Sequence, residues 1–172
     1  MTQASLSKSD EAAIADGCYI DEASAERVRT FFKRFLRHSK GQFAGKPFDL
    51  LDWQWNDVIL PLFGWKRKDG TRRFRKAYVE IPKKQGKSAL CSAIALYLLM
   101  ADGEAGAEVY CGAADRDQAG IVYNEAANMV ESSPALSGKL DLVRSVKRIV
   151  YHATKSWFKA LSADVPTKEG LN

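Results

Sequence analysis

The residues best suited to chemistry are three in a row, Gly86, Lys87 and Ser88. A phosphate-binding P-loop, or Walker A motif, reads Gly-x-x-x-x-Gly-Lys-Ser/Thr; this chain fills the last three places and has Ile81 at the first. Gly86 would let backbone amides approach a phosphate, Lys87 would reach the β- and γ-phosphates, and the Ser88 hydroxyl would ligate Mg²⁺. The sequence therefore predicts, from a partial match, a site for the phosphates of a nucleotide and for Mg²⁺.

A phosphate loop needs a strand before it and a helix N-terminus after it. From Arg73 to Ile81 apolar and polar residues alternate, which predicts a strand that ends at Pro82. The segment Lys87 to Met100 is apolar on nearly all sides, which predicts a helix buried against a sheet. The predicted neighbours are thus the ones that the motif requires.

The remaining periodicities predict further helices and strands on both sides of the loop. The predicted helices are Ser24 to His38, Leu50 to Phe63 and Asp115 to about Ser132, and the predicted strands are Ala107 to Gly112, Arg148 to Tyr151 and Trp157 to Leu161. This alternation predicts an α/β fold, a parallel sheet flanked by helices and entered through a helical N-terminal segment. The predicted organisation is a poorly ordered arm at residues 1–20, a helical segment at 21–65 and a core at 66–172.

Composition favours a globular protein that works in a reducing compartment. Of the 172 residues 46% are hydrophobic and 27% are charged, and neither a signal peptide nor an apolar run of membrane-spanning length is present. Three separated cysteines argue against a disulfide framework, and two histidines exclude a multi-histidine metal centre. We expect a cytoplasmic location and no membrane partner.

Positive charge is concentrated from Lys66 to Lys87. This basic segment carries Lys66, Arg67, Lys68, Arg72, Arg73, Arg75, Lys76, Lys83, Lys84 and Lys87 against Asp69 and Glu80 only. Such an excess suits a polyanion, so one alternative is a nucleic-acid-binding module with a vestigial phosphate loop. Another alternative, a small-molecule kinase, would need acceptor-binding and Mg²⁺ carboxylates that the sequence does not reveal.

Four segments together resemble the N-terminal ATPase domain of the large subunit of tailed-phage terminases, the motors that package viral DNA. They are FDLLDWQ at Phe48 to Gln54, PLFGW at Pro61 to Trp65, RRFRKAYVEIPKKQGKS at Arg72 to Ser88, and YCGAADRDQAGIVYNEAANMV at Tyr110 to Val130. The resemblance implies an incomplete P-loop NTPase core of the RecA/ASCE type. It also accounts for Ile81, because these terminases characteristically lack the first glycine of the motif.

The resemblance assigns roles residue by residue. Gln54 matches the glutamine that recognises adenine, although its residue type alone would favour an exposed helix position. Lys83 or Lys84 lies where relatives carry an arginine directed at the γ-phosphate, and a lysine there supplies charge without the planar fork. The resemblance places Gln85 and Gly86 in the phosphate-binding loop, with Lys87 and Ser88 on phosphate and Mg²⁺. We assign no chemical role to the DRDQA segment, Asp115 to Ala119, beyond helix capping and packing.

The expected activity is ATP binding with weak or absent hydrolysis. In the family, hydrolysis needs a strand ending in Asp-Glu, and residues 89–172 contain no such pair and no carboxylate cluster for a nuclease. The chain is therefore expected to be the first third of a terminase large subunit, truncated before those carboxylates. The resemblance implies double-stranded DNA, the terminase small subunit, the portal and further copies of the chain as partners, in the cytoplasm of a host that carries the phage or prophage.

Overall fold

The computed structural model describes residues 7–113 and 116–162, with the backbone alone at Arg116, Asp117 and Ser162. Its contacts divide the chain into two compact units. The first unit joins the described residues up to Thr30 with Asp49–Glu80, and the second joins Phe31–Phe48 with the described residues from Ile81 onwards. Each unit is described by itself.

The first unit begins with helix α1, Lys8–Ala15, in a region expected to be a poorly ordered arm. That expectation is wrong for these residues, because Ser7 and Asp10 form a reciprocal capping box at the helix start. The Ser7 hydroxyl accepts the Asp10 backbone N–H at 3.2 Å, and Asp10 accepts the Ser7 N–H at 3.2 Å. These bonds satisfy two backbone donors that a short helix otherwise leaves unpaired.

Further elements of the first unit are short or irregular. Strand β1, Tyr19–Ile20, pairs antiparallel with strand β2, Trp65–Lys66. Helix α2, Glu22–Phe35, confirms the predicted amphipathic helix; its residues 22–30 belong to the first unit and 31–35 to the second. The second predicted helix is present as a helical turn followed by a π-helix, Gln54–Gly64, which includes Pro61.

Arginine stacking on aromatic rings holds the first unit together. The guanidinium of Arg73 lies 4.5 Å from the Trp65 ring and 4.7 Å from the Phe74 ring, and its Nη1 donates to Asp10 at 2.6 Å. Arg72 stacks over Phe63 at 4.7 Å. Two cations of the basic segment are therefore used in packing, which weakens the alternative that the whole segment follows a nucleic-acid backbone.

The second unit is an α/β layer that confirms the predicted fold class. Along the chain this unit contains helix α3, Lys87–Met100, strand β3, Glu108–Ala113, helices α4, Arg116–Glu131, and α5, Pro134–Ser137, and then strands β4, Leu140–Val143, β5, Arg148–Tyr151, and β6, Ser156–Ser162. The strand order is β3-β6-β5-β4, in which β3 and β6 are parallel while β6, β5 and β4 form antiparallel pairs. The sheet is thus mixed, where a parallel sheet was expected.

The core of the second unit lies between the helices and one face of this sheet. Ile149 and Phe158 are fully buried on that face, and the ring of Tyr123 in α4 lies 6.5 Å from the ring of Phe158. The Ser92 hydroxyl in α3 lies 2.8 Å from the Ser88 carbonyl and 2.8 Å from the Val122 carbonyl in α4. These contacts fix α3 in place through its buried side.

The strand predicted from Arg73 to Ile81 is not formed in the described residues. Residues 76–82 make no ladder with another strand, and residues 75–80 are exposed, Tyr78 to 88%. An alternating pattern produces a strand only where a neighbour accepts and donates the backbone hydrogen bonds. The sequence also gave no prediction for β4 and α5, because four residues show too few periods to recognise.

We predict that Arg73→Ala lowers the free energy of unfolding of the first unit by about 2 kcal/mol, because it removes both the aromatic stacking and the partner of Asp10. Arg75→Ala, a neighbouring exposed arginine, is the matched control and should change stability by less than about 0.5 kcal/mol. Urea denaturation followed by tryptophan fluorescence measures both variants. Equal effects of the two substitutions would contradict the role given to Arg73.

The same ion pair predicts a loss of stability in acid. Hydrogen bonds from Ser7 and Arg73 hold the pKa of the Asp10 carboxyl below its ordinary value. A carboxyl with a lowered folded-state pKa contributes stability above its ordinary pKa and loses that contribution as pH falls through the folded-state pKa. The difference in stability between wild type and Asp10→Asn should therefore shrink as acid denaturation is followed below about pH 4.

Candidate functional site

The loop before α3 presents its backbone to solvent in a conformation suited to an anion. Gly86 is the N-cap residue of α3, with φ 79° and ψ 12°, in the left-handed region that favours glycine. No side chain caps this helix, and the first described helical bond runs from the Leu90 N–H to the Gly86 carbonyl at 2.9 Å. The N–H groups of the first turn are thus open to a ligand, at the positive end of the helix dipole.

A second left-handed residue precedes the first by two positions. Lys84 has φ 67°, an uncommon conformation for a residue with a side chain, while Gln85 between them lies outside the positive-φ region. Alternation of handedness turns successive N–H groups toward one point and forms a concave anion-binding nest. The backbone of Lys84 to Gly86 therefore continues the row of donors that the helix start provides.

The side chains of the loop add positive charge that nothing in the described part of the chain neutralises. Lys83, Lys84, Gln85 and Lys87 are exposed, and Ser88 is half-buried at the first turn of α3. Among the described residues none of these three lysines forms an ion pair. The structure thus gathers the predicted residues from Lys83 to Ser88 into one loop and helix start.

The helix that carries this loop is held rigidly behind it. Leu90, Leu96 and Leu99 are buried, and Ser92, with no exposed surface, ties the first turn of α3 to α4. Sequence reasoning treated α3 as uniformly apolar and missed Ser92. The signal available was a serine in the middle of an otherwise apolar stretch, since a buried polar group in an apolar helix needs a partner.

Cysteine chemistry is disfavoured beside the loop. Partial loss of solvation raises the pKa of the Cys91 thiol, which is still exposed to solvent, and the nearby Lys87 opposes this shift more weakly. Desolvation likewise raises the pKa of the half-buried Cys111 thiol. A raised pKa keeps a thiol protonated at neutral pH, and the thiolate is the reactive form. The site can therefore bind and orient an anion, but these thiols are not activated nucleophiles.

Gln54 lies in the first unit, at the start of the π-helix. Its side chain is 4% exposed, so the alternative of an exposed helix residue is wrong. The Gln54 Oε1 accepts the Leu51 backbone N–H at 3.0 Å, and within the described residues the amide Nε2 donates to no partner. Nearby, the guanidinium of Arg29 stacks over the Trp55 ring at 3.4 Å.

The DRDQA segment lies partly outside the described residues. Ala114 and Asp115 are not among the described residues, and the side chains of Arg116 and Asp117 are not described, so the capping expected of the DRDQA segment cannot be placed. In the ranges 7–113 and 116–162, no group of three or more His, Cys, Asp or Glu side chains forms a metal-binding cluster. A search of those ranges also finds no helix with the length and apolar character to cross a bilayer.

Known proteins resemble most of this chain. Residues 53–172 match the family described as "Terminase large subunit, ATPase domain". The terminase large subunit of Enterobacteria phage HK97 is 32% identical over 148 residues, which are 86% of this chain and 28% of that protein. The crystal structure of the HK97 large terminase superposes with a TM-score of 0.73 at 31% identity and covers 86% of this chain. This chain thus spans less than a third of the length of these relatives.

The loop conformation predicts opposite tolerances at its two left-handed residues. Gly86→Ala should destabilise the protein by about 1 kcal/mol, because a Cβ is strained at this φ. Lys84→Gly should change stability by less than about 0.5 kcal/mol, because relief of strain offsets the greater freedom of glycine in the unfolded chain. Thermal denaturation of both variants distinguishes them, and a Lys84→Gly loss as large as that of Gly86→Ala would refute the assignment at Lys84.

Proposed function

The chain belongs to the terminase large-subunit family, in its ATPase domain, and on that premise we propose that Pro82 to Ser88 binds the phosphates of ATP for a phage DNA-packaging motor. The observation that carries this proposal is the uncapped start of α3 behind the left-handed Gly86. Backbone donors, a helix dipole and three unpaired lysines converge on a loop of P-loop sequence. A polyphosphate is the ligand class that such a loop recognises.

Each residue of the loop has a proposed part in holding ATP. Lys87 neutralises the β- and γ-phosphates, and the backbone from Lys84 to Gly86, including Gln85, contributes N–H donors. Lys83 and Lys84 bring further charge toward the γ-phosphate, with Lys84 the candidate for stabilising charge during transfer. A lysine there gives a point charge, so this stabilisation is less directional than that of an arginine.

Mg²⁺ fits the proposal through a single protein ligand of this loop. The Ser88 hydroxyl is a hard oxygen donor in the position that P-loop proteins use for the metal. When bound, Mg²⁺ would neutralise charge on the phosphate oxygens. The other ligands would come from ATP and water, as is usual for this ion.

The proposed activity of residues 1–172 is the binding of ATP. None of these residues is assigned to holding the attacking water. In the packaging motor, we propose double-stranded DNA as substrate and the small subunit, the portal and other copies of the chain as partners. These proposals follow from family membership.

The decisive test of the loop is Lys87→Ala. Loss of one charged phosphate contact should weaken ATP binding by about tenfold or more, measured by isothermal titration calorimetry with Mg²⁺ present. Lys139→Ala removes an equivalent exposed charge outside the loop and should bind ATP as the wild type does. If Lys87→Ala bound ATP with unchanged affinity, the loop would not be a phosphate site.

The proposed recognition of adenine by Gln54 has a separate test in Gln54→Glu. The carboxylate keeps an oxygen that can accept the Leu51 N–H, but it removes the Nε2 donor that is left for a base. We expect the variant to remain folded and to lose about tenfold of the preference for ATP over GTP. Competition binding with the two nucleotides gives the ratio, and an unchanged ratio would remove Gln54 from base recognition.

A further inference from the structure

The sheet of the second unit has a second face, opposite the one that packs on α4. Ile149 and Phe158 are directly opposed across β5 and β6 and lie on the buried face. Side chains alternate along a strand, so the neighbours of these residues point to the other side. Register places four of them together there, and we call Tyr110, Arg148, Trp157 and Lys159 the aromatic face. All four are half-buried.

Trp157 is the centre of the aromatic face. The Tyr110 ring meets it edge-on, with centroids 4.9 Å apart and an interplanar angle of 88°. From the neighbouring strand, the guanidinium carbon of Arg148 lies 4.8 Å from the centroid of the Trp157 ring. These contacts hold two perpendicular aromatic rings on neighbouring strands, so the orientation of each ring is fixed before a ligand binds.

The positive charges of the aromatic face have no acidic partner among the described residues. The nearby acids have local partners, since Glu108 accepts the Tyr110 hydroxyl at 2.6 Å and Asp141 lies 2.7 Å from His152. In contrast, the Nε of Arg148 is buried with no hydrogen-bond partner in the described part of the chain, and Lys159 forms no ion pair there. Arg148 and Lys159 therefore give this face a net positive charge, which favours an anionic ligand.

Space for a ligand lies beside the aromatic rings. Gly112 follows Tyr110 on the same side of β3, and a Cβ placed on Gly112 would meet no atom within 4 Å. Strand β3 is also an edge of the described sheet. The aromatic face therefore continues onto backbone that no side chain covers, where a ligand strand can approach closely.

We propose that the aromatic face binds single-stranded nucleic acid, with bases stacked against Tyr110 and Trp157 and phosphates at Arg148 and Lys159. Unpaired bases present the flat π-surfaces that these rings need, and the strand supplies the anions. A duplex offers its phosphates but hides its base faces, and an acidic peptide offers charge without flat rings. The site is distinct from the phosphate loop of α3.

The test uses a fluorescein-labelled oligothymidylate of about twenty nucleotides, long enough for one binding site, and fluorescence polarisation at about 50 mM salt. Trp157→Ala should weaken binding about tenfold, and Trp157→Phe should retain most of it because a ring remains. Lys159→Gln should reduce the slope of log K against log salt by about 0.7, the value for one phosphate contact on a single strand. Circular dichroism checks that each variant is folded.

Control variants separate this site from the others. Lys76→Gln removes a charge from the exposed basic segment and should leave oligothymidylate binding unchanged, while Trp157→Ala should bind ATP normally. The proposal would be overturned by absence of oligothymidylate binding, by binding of a duplex or of a glutamate-rich peptide that Trp157→Ala weakens equally, or by dependence on Lys76 without dependence on Trp157. Failure of ATP binding in wild type would count against the phosphate loop alone.

Discussion

Burial of helix α3 is the constraint on which the candidate nucleotide site depends. Its leucines and Ser92 are enclosed by α4 and the sheet, so the helix axis is fixed by packing and not by the loop in front of it. A helix dipole attracts anions only if its N-terminus is held where a ligand can reach it. The apolar character of Lys87 to Met100 therefore fixes the helix, and the exposed polar loop before it leaves the helix N-terminus open to a ligand.

The sequence predicted those elements whose burial is decided locally. Helices α2, α3 and α4 carry several periods of an apolar pattern, and β5 and β6 lie next to each other with a short turn between them. The segment Arg73 to Ile81 has an equally good strand pattern, yet its outcome depends on a neighbour that the pattern does not specify. The opposite error occurs at α1, where the sequence predicts no helix and the structure has one. Capping and one distant arginine stabilise this helix, although it has no buried residue.

The candidate site was predictable in composition and only partly in geometry. Gly86 has a left-handed backbone conformation, which a glycine in this position leads one to expect. Lys84 lies in the same region of φ and ψ, although its side chain disfavours that region. Gln54 illustrates the limit further, because burial of an amide depends on the π-helix around it and on the Leu51 N–H that it accepts. In the basic segment, Arg72 and Arg73 stack on aromatic rings, whereas the sequence suggested that all its charges are free to bind a polyanion. The charge of a sequence does not reveal which guanidinium groups stack on rings.

Charge in the second unit is separated in a way that favours ligand binding at the loop. Two acids of this unit pair away from the loop, Glu125 with Ser39 at 2.6 Å and with Lys40 at 3.9 Å, and Glu131 with Arg144. Lys83, Lys84 and Lys87 are left close together in sequence with no anion to offset their mutual repulsion. Polyphosphate binding would relieve this repulsion and use the open N–H groups of α3 at the same time. Because a ligand that binds only the folded state stabilises that state, nucleotide binding at the loop would raise the free energy of unfolding.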